Sequence, residues 1–197
     1  MKTTAVLLSV KTVILQKTQL HKKFNTGSYR IGASRLKQFL WYFTDVFFFR
    51  SGMIPVSSIL VFLLRLFGAR IGNDVRIKPG IHIKYPWKLS IGDYSWLADC
   101  YIENLAWVRI GANCCISQQA ILMTGNHNYS KTSFDLITKP ITLEEGVWIG
   151  ACAKVCPGLT LFSHAVLTMG STATSNLDAY SIYQGHPAVK VKDRNIS

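Results

Sequence analysis

A period of six residues constrains this chain more than any other feature. Counting from Ile149, every sixth position is aliphatic: Ile149, Val155, Leu161, Leu167, Ala173 and Ala179. Four residues after each stand Ala153, Leu159, Ala165, Ser171, Leu177 and Tyr183, mostly small or apolar. The period also runs through Ile71, Ile77 and Ile83, re-phases at Ile91 and Leu97, and re-phases again at Ile110, Ile116 and Leu122. Six matches neither a helix nor the two-residue alternation of a hairpin meander. It suits a coil with flat sides, where one aliphatic per side points inward and small residues fill the corners. No coil buries its inner face alone, so stacked coils must supply the core. The rhythm stops between about Met123 and Pro140 and resumes at Ile141, so the stretch from Thr124 to Ser130 and beyond reads as a projecting loop.

The chain has 197 residues, of which 49% are hydrophobic and 16% charged, which argues for a folded protein. Its net charge of +12 is uneven: residues 1–70 hold 11 Lys/Arg against one acid, Asp45, while residues 71–197 hold 11 against nine. Such a basic block suits nucleic acid or anionic lipid, and the apolar stretches interleaved with it favour lipid, so no nucleic-acid partner is expected. The cysteines at 100, 114, 115, 152 and 156 form no Cys-x-x-Cys pair and are odd in number. They are expected to be small buried thiols of a reducing compartment.

The N-terminal apolar run is broken by Lys11 and is not read as a secretory signal. The segments Phe39–Phe49 and Met53–Phe67 are strongly apolar, but Asp45 interrupts the first and Ser57, Ser58 and Arg65 the second. Neither reaches the ~20 clean residues of a spanning helix. Both readings of them stay open: helices packed on the domain, or helices lying in a membrane interface.

The stretch Ile149-Gly150-Ala151-Cys152-Ala153-Lys154-Val155-Cys156-Pro157-Gly158-Leu159-Thr160 resembles the hexapeptide-repeat acyltransferase family. Leu63–Gly72, Lys84–Leu89, Thr124–Tyr129 and Tyr183–Ala188 are similar to its colanic acid biosynthesis O-acetyltransferase branch, a likeness covering roughly residues 30–194. The resemblance implies a mainly β fold, a left-handed parallel β-helix, with a helical segment before it. Residues 1–68 would form the basic arm and helices, 69–185 the solenoid with a protruding loop at 124–140, and 186–197 a basic tail. It implies transfer of an acetyl group from acetyl-CoA to a sugar hydroxyl, directly and without a covalent enzyme intermediate. Acetyl-CoA would be the co-substrate, no metal would be required, and the assembly would be a homotrimer.

Proton abstraction from an alcohol at neutral pH calls for a histidine. Of five, His21 lies in the basic arm, His82 and His164 at corner-like positions, and His186 in the exit turn. His127 stands in the loop that interrupts the repeats, between Asn126 and Asn128, and the resemblance makes it the general base. Asn126 either orients the ring or the acceptor, or is a turn residue. Asp99, Glu103 and Asn104 either contact the acceptor from a neighbouring coil or are plain surface polar groups. For the donor, the resemblance points to Trp148, Gly150, Ala151, Met169 and Gly170 along the groove, and to Thr174, Ser175, Lys190 and Lys192 toward the phosphates. Trp148 also reads as a core-edge aromatic, and the lysines, with Arg194, as a solvated charge run. Ser175 replaces the lysine common in the family.

Three rivals remain. A zinc site needs converging histidines, and the loop holds only His127. A non-catalytic trimer or binding module would fit the lost lysine. The acceptor could instead be serine, an amino sugar or an antibiotic. The basic, apolar residues 1–67 favour a lipid-linked oligosaccharide acceptor met in the cytoplasm, at the inner face of the plasma membrane.

Overall fold

The aliphatic positions of the repeat form three continuous ladders. A computed structural model describes residues 17–20 and 25–197. On the first face the strands Arg70–Ile71, Leu89–Ile91, Val108–Ile110, Ile141–Leu143 and Thr160–Leu161 stack in parallel. The second face carries Arg76–Ile77, Trp96–Leu97, Cys115–Ile116, Trp148–Ile149, Val166–Leu167 and Ser181–Gly185. The third carries His82–Ile83, Tyr101–Glu103, Ile121–Met123, Lys154–Val155 and Thr172–Ala173. This is a parallel β-solenoid. The register places Ile77, Leu97, Ile116, Ile149, Leu167 and Tyr183 in one inward column, all buried. Each such side chain is worth roughly 1.5–3 kcal/mol on leaving water, which no single coil could collect unaided.

The re-phasing of the repeat has a structural cause, and most of it lies at one corner. Between the third and first faces the chain inserts the 3-10 turn Pro86–Lys88, the bend at Asn104–Trp107, and the long excursion from Thr124 to Pro140. The last passage of that corner is short instead. Leu177 is fully buried and bridges to Leu161, whereas Ala179, in phase by sequence, is exposed. The six-residue count therefore fails there: the chain turns early, with Asn176 Oδ1 accepting from Thr160 N at 2.9 Å. The cysteines also divide. Cys100 and Cys114 are buried, Cys115 and Cys156 half-buried, and Cys152, in a left-handed corner conformation (φ 58°), is exposed, contrary to expectation.

Two helices close the first coil, α1 (Arg35–Thr44) and α2 (Ser57–Leu66), with a π-helical turn at Asp45–Arg50 between them. Ser34 starts α1 by accepting from Lys37 N. Trp41, Asp45 and Phe49 recur four residues apart and face inward. Trp41 donates its indole N–H to Ile83 O at 3.1 Å, and Trp41 packs against Phe49 and Phe67. From α2, Leu60, Val61 and Leu64 are buried against the coil. Such a lid protects the open end of a solenoid. The other end is covered by Ala188–Asp193, which turns back antiparallel on Ser181–Gly185.

Candidate active site

The excursion is an antiparallel ribbon. Glu103 pairs in register with Met123, after which Thr124 leaves the coil, fully buried. Its hydroxyl donates to Glu103 O at 2.8 Å and accepts from Ala106 N at 3.0 Å, pinning the foot of the ribbon. Gly125–His127 then pairs with Leu136–Thr138. The tip is held by Asn128 N donating to Asp135 O (2.8 Å) and by the Lys131–Asp135 ion pair (3.0 Å), which draws the Asp135 carboxyl below its usual range. The N-terminal arm runs against this ribbon: Gln19 N donates to Thr132 O at 2.7 Å and Leu136 N to Asn25 O at 3.1 Å. His21 lies outside the described residues.

His127 is half-buried, its ring stacked on Phe134 at 4.5 Å and 8°. Its Nδ1 lies 2.8 Å from Phe134 O. A carbonyl only accepts, so Nδ1 carries the proton and, in the neutral ring, Nε2 carries the lone pair. That is the tautomer a general base needs. Asn126 is exposed, and its Oδ1 accepts from His127 N at 2.8 Å, a local backbone contact.

The expected acceptor residues separate. Glu103 ends its strand beside the foot of the ribbon, ion-paired with Lys84 and accepting from Tyr101 Oη at 2.9 Å. Partial burial, then that bond, pushes the Tyr101 phenol up to about 12, so it remains a donor. Asp99 sits at the preceding corner, accepting from Gln119 Nε2 at 2.7 Å. Asn104 lies inside the corner. It is fully buried, its amide spent on Tyr85 N (2.9 Å), Tyr85 O (2.7 Å) and Lys88 O (3.2 Å), and it locks the Pro86–Lys88 turn.

Glu103 opens instead onto a cavity of about 340 Å³ between α1, the π-helical turn and the third face, lined also by Asp45, Arg50, His82, Tyr85 and Tyr101. Asp45 is 3% exposed, bonded to Arg50 at 2.7 Å, with His82 Nδ1 at 3.4 Å. His82 stacks on Tyr101 at 4.3 Å. Sequence reading missed Asp45 and His82 as partners. The usable signal was that Asp45 is the lone acid of the first 70 residues and interrupts an apolar run. A larger cavity of about 730 Å³ lies away from the ribbon, between α2 and the coil at Gly72–Trp96.

Of the expected donor residues, Gly150, Ala151, Met169 and Gly170 meet at one corner of successive coils. Gly170 N donates to Ala151 O at 2.8 Å, and a Cβ on Gly150 would stand 2.5 Å from Met169 N, so only glycine allows that stacking. Trp148 is exposed on the adjoining face, donating to Ser117 Oγ at 3.0 Å, and forms with Trp96 a groove of about 250 Å³. Thr174 and Ser175 are exposed at the next corner along the chain. Lys190 and Lys192 are exposed on the closing strand, and Lys190 pairs with Asp193 at 2.8 Å. Arg194 is committed to Gly146 O and His164 O. Among the described residues, no three His, Cys, Asp or Glu side chains are arranged to hold a metal ion.

A six-residue parallel solenoid is the fold this chain shares with solved hexapeptide-repeat acetyltransferases. The chain is 35% identical over 164 residues to the Escherichia coli protein provisionally named colanic acid biosynthesis acetyltransferase WcaF, covering 83% of this chain and 90% of that one. It therefore belongs to that acetyltransferase family. It is 25% identical over 137 residues to the galactoside O-acetyltransferase of Escherichia coli, 68% of each chain. A hexapeptide-repeat acetyltransferase from Vibrio cholerae O1 biovar eltor, solved with acetyl coenzyme A, shares the fold at TM-score 0.75 and 19% identity, over 84% of this chain and 92% of that one. No protein-family model matches the sequence.

Proposed function

We propose that the protein moves the acetyl group of acetyl-CoA to a sugar hydroxyl in the biosynthesis of an exopolysaccharide or cell-surface glycan, with His127 as general base. The observation that carries this is the imidazole tautomer fixed by Phe134 O. Nε2 takes the proton of the acceptor hydroxyl as its oxygen attacks the thioester carbonyl. The tetrahedral intermediate collapses with loss of the CoA thiolate, which recovers the proton from the imidazolium. No enzyme nucleophile takes part.

Acetyl-CoA lies along the corner of Gly150, Ala151, Met169 and Gly170 beside Trp148, with Thr174, Ser175, Lys190 and Lys192 toward its phosphates. The acetyl-CoA complex of the Vibrio cholerae structure supports this donor. The acceptor ring enters the cavity of Glu103, Asp45, His82 and Tyr101, whose aromatic faces and carboxylates suit a hydroxyl-rich ligand. The named substrate of the galactoside relative supports a sugar. The working unit is a trimer in which the ribbon of one chain meets the cavity of the next, and the donor places the reaction in the cytoplasm.

The test is thiol release from acetyl-CoA in the presence of galactosides and oligosaccharides. His127→Ala lowers turnover about 10²–10⁴-fold while acetyl-CoA binding is retained. Turnover untouched by the substitution overturns the assignment.

A further inference from the structure

We propose that the outward faces of α1, the π-helical turn and α2 form a docking surface for an anionic lipid bilayer. A helix on a protein surface normally turns polar residues to water, and one that is apolar all round is covered on every side. Here the inward stripe of Trp41, Asp45 and Phe49 is matched by an outward one: Leu36 is 67% exposed, Phe39 59%, Phe43 42% and Phe47 55%. These positions recur at three, four and four residues, so they share one face, and Phe43 contacts both Phe39 and Phe47. On α2, Leu60, Val61 and Leu64 are buried while Ile59, Phe62 and Leu66 are exposed, Phe62 to 62% and Leu66 to 65%. Met53, between the helices, is 67% exposed. A contiguous exposed apolar row such as Phe39, Phe43 and Phe47 marks an interaction site.

Charge selects the occupant. Residues 1–70 carry 11 Lys/Arg and the single acid Asp45, which is buried and paired with Arg50. On the helices themselves Arg35, Arg50 and Arg65 are exposed and no acid is, which fits anionic headgroups above a hydrocarbon layer. A second copy placed face to face would bring the exposed arginines of the two copies together, at a cost in repulsion. Spanning is excluded for these segments: α1 with the π-helical turn runs 16 residues and α2 ten, both short of the ~20 a span needs, and no helix among the described residues is long and apolar enough to cross. The helices therefore lie in the interface plane. Trp41 and Tyr42 of α1 also line the Glu103 cavity, so docking by this face holds that cavity close to the headgroups.

The experiment is co-sedimentation of the full chain with vesicles of phosphatidylethanolamine and phosphatidylglycerol, against phosphatidylcholine vesicles. Binding to the anionic vesicles is expected to exceed binding to the neutral ones about ten-fold and to fall at high salt. The variant F39Q/F43Q/F47Q is expected to lose about ten-fold in partition while keeping its oligomeric mass by light scattering and its melting temperature. Equal binding to both vesicle types, or unchanged partition of the variant, overturns the proposal. A drop in oligomeric mass also overturns it, because the face would then cover a second copy.

Discussion

Two cysteines illustrate how single residues couple the solenoid core to pH. Burial pushes the Cys100 thiol up to about 12 and the Cys114 thiol up to about 11 from an ordinary value of 9.0. Both folded-state values lie above the unfolded one, so the native chain holds these protons more tightly. Their stabilisation is complete below pH 9.0 and is lost as pH climbs toward 11 and 12. Denaturant midpoints are expected to fall between pH 8 and about pH 10.5, and C100A/C114A to flatten that fall. A midpoint equally pH-dependent in both proteins contradicts the assignment. At this scale the sequence was unevenly legible. His127 stood out because it interrupts a rhythm. The Asp45–His82 approach did not, since it joins residues 37 positions apart with no pattern linking them. The burial of Asn104 was not legible either, because a polar side chain beside a loop looks exposed until its backbone partners at Tyr85 and Lys88 are known.

At the scale of an element, the coil is a stack of tight corners. A Cβ on Gly92 would lie 2.5 Å from Ala112 N and 2.6 Å from Gly111 C, both backbone atoms of the next coil. Backbone cannot swing aside as a side chain does, so adjacent coils must part. Gly92→Ala is expected to cost about 1–3 kcal/mol, lowering the melting temperature by roughly 3–10 °C. Thermal unfolding followed by circular dichroism reads this directly, and an unchanged melt would show that the corner yields freely. The strands themselves were legible because inward aliphatics repeat with the chain. The corner between the third and first faces was not, because its length is set by what each passage carries: a 3-10 turn, a buried asparagine, the histidine-bearing ribbon, or the early turn at Leu177.

At the scale of the whole molecule, the proposed trimer divides one active site between chains. The ribbon projects from its own coil, and the cavity at Glu103 opens on the third face from which that ribbon departs. If His127 serves the cavity of a neighbour, two inactive variants repair one another. His127→Ala keeps Glu103 intact, and Glu103→Gln keeps His127. In a randomly mixed trimer, roughly a quarter of the inter-chain sites would hold both native groups. Unfolding and co-refolding an equal mixture is therefore expected to restore about a quarter of wild-type turnover, whereas mixing without subunit exchange restores none. A site complete within one chain gives a different result, because every site then lacks one group and the mixture stays as inactive as its parents. Restoration would place the base and the acceptor cavity on different chains, making assembly a condition of catalysis and not merely of stability.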